Sequence, residues 1–221
     1  MPVDEPEEDW ENLQIIFATS AGDVRRNALS DFTKVRANGK IAMDLPKGVE
    51  LVNVRVATEQ DDVMLVTNSG RAIRFPSNDV RVFKGRKSTG VRGIKLLKDD
   101  FVVSMSVIRH FVASTNERSA YLKMRRAVAG MVDDEESSED EDTDPNATIS
   151  PDRYAEMSAA ENLILTISAG GSGKLSSSHD YQVRGSGGMC VAAIDKTMRG
   201  CALVASFPAE MDDQIILATS N

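Results

Sequence analysis

Cysteine, histidine, aromatic residues and long apolar runs are all scarce in this 221-residue chain. The two cysteines, Cys190 and Cys201, are too few for a disulfide framework and point to a reduced, cytoplasmic setting. The two histidines, His110 and His179, have no Cys, Asp or Glu at zinc-ligand spacing, so neither marks a metal site. No stretch approaches the roughly 18 uninterrupted apolar residues of a membrane helix. The opening "MPVDEPEEDW" also lacks the basic and apolar leader of a secretory signal. Aromatics make up only 5% of the residues, which disfavours stacking on single-stranded nucleic acid and an aromatic protein-docking face.

Bases are missing altogether from two segments. Residues 1–12 hold six acids and no base, and residues 133–144, "DDEESSEDEDTD", hold nine acids and no base. Such runs repel themselves and are expected to be solvated and disordered. Without them the formal charge of −8 inverts, because 19 acids then face 26 bases. The part able to fold is basic.

That part is a repeat. "LQIIFATSAGDVRR" (13–26) lines up with "DVMLVTNSGRAIRF" (62–75) and "NLILTISAGGSGKL" (162–175), with Gly22, Gly70 and Gly171 at the turns. "DDQIILATSN" (212–221) begins the pattern again. Each unit continues with a glycine-opened strand ("NGKIAMDL", "TGVRGIKL" or "GGMCVAAI"), a short turn and a last apolar strand. Four strands per unit of about 50 residues predict an all-β, propeller-like architecture. The expected organisation is an acidic lead-in (1–12), blades at 13–60, 61–110 and 161–211, and the first strand of a further blade at 212–221.

Residues 111–160 interrupt the period. Ser114 and Glu117 have capping-box spacing, and Tyr121, Met124, Ala127, Val128 and Met131 keep helical periodicity up to a stop at Gly130. Ser150 and Pro151 open a second helix. The insertion therefore reads as two helices flanking a disordered acidic linker.

Catalytic signals are weak. "GGSGKLSSSHD" (170–180) imitates a phosphate loop, but Leu175 follows Gly173-Lys174 where Ser or Thr is required, and the segment lies in a hairpin rather than before a helix. No catalytic residue and no metal or cofactor site is expected in this chain.

The basic residues carry more information. Arg71, Arg74, Arg81, Lys84, Arg86, Lys87, Arg92, Lys95 and Lys98 crowd residues 71–98, which contain one acid, Asp79. The first unit has a thinner set, Arg25, Arg26, Lys34, Arg36 and Lys40. The third has Lys174 and Arg184, with Leu175 where the others have Arg26 and Arg74. Bases at equivalent repeat positions are expected to line one outer track suited to the phosphate backbone of duplex DNA.

"FATSAGDVRRNALSDF", "GKIAMDL", "DDVMLVTNSGRAIRF" and "KSTGVRGIKL" closely resemble the C-terminal domain of the bacterial DNA gyrase A subunit. The stretch "RHF…ERSAYLKMRRA…RYAEMSAAENLILTISAGGSGKLSSSHDY" is similar to the alphaproteobacterial form. The A subunit of topoisomerase IV, with more degenerate blades, ranks second, and a protein-interaction propeller third. The resemblance implies a β-pinwheel that binds and wraps double-stranded DNA around its rim. It also implies a gyrase B partner in an A2B2 assembly, with ATP and Mg acting on other parts of that assembly, and negative supercoiling as the outcome. On this reading "FKGRKSTGVRGIK" belongs to the wrapping rim, with Gly85, Gly90 and Gly93 allowing tight turns. The family's catalytic tyrosine lies in a separate region, and Tyr121, Tyr154 and Tyr181 are not in its context. The glycine-basic box before the family's first blade is missing, so the chain is expected to be a fragment of a longer protein.

Overall fold

A computed structural model describes residues 10–33, 39, 41–85, 87–130, 144, 146–194 and 200–216. Each repeat opens with a hairpin: β1 (Gln14–Thr19) with β2 (Asp23–Ala28), β4 (Asp61–Thr67) with β5 (Arg71–Pro76), and β8 (Leu163–Ser168) with β9 (Gly173–Ser177). The turn glycines share a left-handed φ, +84° at Gly22, +80° at Gly70 and +81° at Gly171, and the first two are also closely packed. A Cβ on Gly22 would lie 2.8 Å from Ile94 Cγ2, and one on Gly70 would lie 2.6 Å from Ile194 Cδ1. A 3-10 turn follows each hairpin, at Leu29–Phe32, Ser77–Asp79 and Ser178–Asp180.

The final strand of each unit, β3 (Leu51–Ala57), β7 (Val102–Arg109) or β11 (Leu203–Pro208), pairs antiparallel with the first strand of its own unit. The glycine-opened strand does not stay at home. β6 (Val91–Arg92), from the second repeat, pairs with β2 of the first, and β10 (Val191–Ala192), from the third, pairs with β5 of the second. The sheets therefore run β3-β1-β2-β6, β7-β4-β5-β10 and β11-β8-β9. Each full blade takes three strands from one repeat and the fourth from the next.

The second and third units each hold the expected four strands, β4–β7 and β8–β11, but the exchange means that a blade is not one unit of sequence. The exchanged strands are also shorter than their apolar runs suggest. After Arg92 the chain turns, and Gly93 N–H and Ile94 N–H both donate to Gly22 O, ending the ladder. Residues 41–45 of "NGKIAMDL" form no strand, because the described residues offer them no preceding blade to join.

β3 packs against β7 and β7 against β11, so these strands form the inner ends of the sheets and β6 and β10 the outer ends. The blades stack face to face. Successive side chains of β4 point to opposite faces, and both faces are covered. Val63 and Leu65 join Ile16, Val24, Ile73 and Phe75 between the first two blades. Met64 and Val66 join Ala72, Ile108, Ile164 and Leu203 between the second and third. This accounts for the unbroken apolar run "VMLV", where a strand with one solvated face would alternate.

The insertion forms α1 (Thr115–Val128) and α2 (Pro151–Ala160). Ser114 Oγ accepts from Glu117 N–H while Ser114 N–H donates to the Glu117 carboxylate, completing the capping box. Ser150 caps α2 ahead of Pro151. The acidic run between the helices lies outside the described residues, Asp144 excepted.

Candidate nucleic-acid interface

The segment Arg81–Lys98 crosses the outer edge of the first blade, and short bonds staple it there. Phe83 is buried, its N–H donates to Arg26 O at 2.8 Å, and its carbonyl accepts from Asn27 Nδ2 at 2.6 Å. Further along, Arg25 Nη1 donates to Ser88 O at 2.7 Å. Gly90 has φ +104° and a Cβ there would sit 2.2 Å from Val24 O, so only glycine lets the loop close onto β2.

Between and beyond these staples the bases face solvent. Lys84 and Lys87 are exposed, and the exposed Arg81 lays its guanidinium 4.0 Å from the Phe83 ring centroid. Arg92, also exposed, lies opposite Asp23 in the β2–β6 ladder. Lys95 and Lys98 continue the exposed series. Burial pushes the Asp23 carboxyl above its ordinary range, and Arg92 pulls it part of the way back. Arg86, Lys34, Arg36 and Lys40 lie outside the described residues.

The crossover of the third unit repeats this path one blade on. Arg184 N–H donates to Arg74 O at 2.7 Å, as Phe83 does to Arg26, and Ala193 N–H donates to Gly70 O at 2.8 Å, as Gly93 does to Gly22. The two crossovers also touch each other. Gly187 N–H reaches Gly93 O at 2.8 Å, and Ser186 N–H reaches Asp79 Oδ2 at 2.9 Å. The outer surface is thus continuous from one blade edge to the next. Arg71, Arg184 and Lys174 lie along it half-buried.

Three arginines expected on this track do not reach it. Arg25, Arg26 and Arg74 are only 0%, 5% and 3% exposed. Arg25 holds Asn27 Oδ1 and Ser88 O. Arg26 donates to Gln14 Oε1 at 2.7 Å within its own blade and to Asn78 Oδ1 at 2.9 Å in the next unit. Arg74 pairs with the fully buried Asp62 at 2.8 Å and reaches Ser178 O in the next unit at 2.8 Å. Burial lowers the pKa of both Arg26 and Arg74, with Asp62 opposing the shift at Arg74. A desolvated guanidinium committed to buried acceptors cannot also bind phosphate. Arg26 and Arg74 thus tie neighbouring units together and Arg25 staples the crossover to β2, so in this structure none of the three lies on the outer surface where a DNA contact was expected.

The acceptors Gln14, Asn78 and Asp62 carry no functional signature by composition. A signal did exist: Gln14 and Arg26 are 12 residues apart, as are Asp62 and Arg74. His110 completes the second tie, its Nδ1 donating to Asp62 Oδ1 at 2.7 Å.

Three face-packed blades that trade outer strands, with an exposed basic edge, define a β-pinwheel whose rim suits a polyanion. The chain belongs to the family described as the DNA gyrase C-terminal domain, β-propeller, whose model matches residues 14–58, 61–109 and 162–205. It is 44% identical over 231 residues to the DNA gyrase A subunit of Granulibacter bethesdensis, covering 99% of this chain and 25% of that protein. It is 37% identical over 223 residues to that of Rickettsia bellii, covering 100% and 24%. The chain spans about a quarter of the length of these relatives. Among solved structures, the C-terminal domain of DNA topoisomerase IV aligns over 95% of this chain and 49% of its own, with a TM-score of 0.62 at 16% identity. The E. coli ParC C-terminal domain aligns over 90% and 62%, with a TM-score of 0.52 at 15% identity. These two likenesses speak for the fold alone.

Proposed function

We propose that this chain binds and bends duplex DNA along its outer rim, as the wrapping module of a gyrase A subunit. The observation that carries the reading is the basic crossover Arg81–Lys98, held on the first blade's edge by backbone and buried side-chain bonds so that its charges face outward. Lys and Arg along such a path neutralise phosphates and release counterions without reading bases. Bending duplex around a small ring costs about 1–6 kcal/mol by elastic estimates, which many distributed backbone contacts offset. In the complete protein, wrapping would present a neighbouring DNA segment for strand passage and so support negative supercoiling. That chemistry belongs to other parts of the assembly, where a gyrase B partner, ATP and Mg act. The compartment is the cytoplasm. Among the described residues no helix is long and apolar enough to cross a membrane.

The test is binding of the full chain to a labelled duplex of a few tens of base pairs across a salt series. Affinity is expected to fall steeply with salt and to tolerate changes of sequence. The triple variant Lys84→Glu, Arg86→Glu, Lys87→Glu is expected to weaken binding by at least about tenfold at 0.1 M salt. Unchanged binding by that variant would remove the rim assignment. The same chain binding a protein partner with no affinity for DNA would favour an interaction propeller.

A further inference from the structure

The third blade is poor in the charge that the first displays. Its outer strand β9 offers Lys174 and the exposed Leu175, and residues 182–194 contribute a single base, Arg184. Over this blade lies α1, which after Glu117 carries Arg118, Lys123, Arg125 and Arg126 and no acid through Val128. The helix is fixed to the turn that follows β9. Arg118 Nη1 donates to His179 O at 3.3 Å, and the Tyr121 ring meets the His179 ring edge-on at 5.0 Å. His179 Nε2 in turn donates to Met157 O of α2 at 2.9 Å.

Two of the four bases serve this packing, Arg118 as described and Arg125 through its 3.0 Å pair with Glu161. Lys123 is exposed and Arg126 half-exposed. The last turn of α1 lies at the β9 end of the blade, because Arg125 pairs with Glu161 just before β8, and Ser178 N–H just after β9 donates to the neighbouring Asn162 O at 2.8 Å, so Arg126 and Lys174 belong to one patch. That patch adjoins the outer path, because the chain runs from Asp180 through Tyr181 to Arg184, which is bonded to β5, and on to Gly187, which is bonded to Gly93.

We propose that Lys123, Arg126 and Lys174 form a second phosphate-binding patch by which the helical insertion carries duplex DNA past the third blade. The proposal rests on the DNA-binding reading of the rim. The helix then does for the third blade what the basic crossover does for the first, and the insertion lengthens the track.

The experiment uses the full chain with Lys123→Gln, Arg126→Gln and Lys174→Gln combined, and with Lys123→Gln alone, whose exposed site leaves packing intact. Salt-dependent binding and hydroxyl-radical footprinting are read on one duplex, with a thermal melt to establish folding. The triple variant is expected to reduce the slope of log affinity against log salt by about two to three, and the single variant by about one. The footprint should shorten at one end. Wild-type slope and footprint in both variants, while Lys84→Glu, Arg86→Glu, Lys87→Glu still weakens binding, would overturn this proposal and leave the rim reading standing. Normal binding by that rim variant as well would overturn both. If the variants lose their effect once residues 133–144 are deleted, the helix bases serve the acidic run and not DNA, which also overturns the proposal.

Discussion

The two blade junctions are built on one template and finished differently. In both, the outer segment donates to the carbonyl of a buried arginine, and in both that arginine reaches across to the 3-10 turn of the next unit. At the first junction the tie is neutral at its acceptors, Gln14 and Asn78, and the crossover above it is crowded with lysine and arginine. At the second the tie is ionic, Arg74 to Asp62, and the crossover is a glycine-rich strip with a helical pair packed beside it. Repetition preserved the mechanics of joining blades while the outward chemistry diverged.

The largest effect expected from this contrast is at the ties. Arg74→Met leaves Asp62 buried with His110 alone and is expected to cost about 3–5 kcal/mol of stability. Arg26→Met leaves only neutral amides and is expected to cost about 1–3 kcal/mol. Urea unfolding of the full chain measures both, and equal costs would show that the ionic tie is not the stronger dependency. Next come the crossovers. Gly90→Ala must force φ +104° on a Cβ pressed against Val24 O and is expected to lose about 2–3 kcal/mol, together with DNA affinity. Cys190→Ala, at the matching place on the second junction, is expected to change stability by about 1 kcal/mol or less.

The smallest effect concerns pH. His179 occupies the repeat position of Asn78, and burial lowers its pKa from the ordinary 6.5, with nearby Arg74 and Arg118 adding to the shift. Its contribution to stability is therefore present above pH 6.5 and is lost as pH falls below it. One unit lower, the loss is at most about 1.4 kcal/mol. His179→Asn should flatten that part of the stability curve, and a curve unchanged by the substitution would detach the second junction from any pH response.

Much of the architecture was legible. The hairpins follow from apolar runs bounded by turn glycines, and both helix starts follow from their caps. The strand exchange was not legible, because the period is the same whether a unit keeps its third strand or lends it. Nor did residue type show that Arg26 and Arg74 are buried. An arginine beside a turn looks the same in sequence whether it meets phosphate or a buried acceptor, and only the repeated 12-residue spacing hinted at the second. In α1 only Tyr121 of the periodic apolar residues is buried, Met124, Ala127 and Val128 being exposed, and that periodicity drew attention away from the bases of the helix.

The lent strand has a mechanical consequence. β6 is held to β2 by a ladder two residues long, too short to withstand a sustained outward pull on its own. Its polypeptide, however, continues into β7, which is paired along its length with β4 and packed at the inner end of the next sheet. Tension applied at the perimeter by a stiff, bent rod would therefore pass along covalent bonds toward the hub of the adjacent blade. The ring would carry load as a spoked wheel does, with each rim segment anchored to its neighbour's spoke.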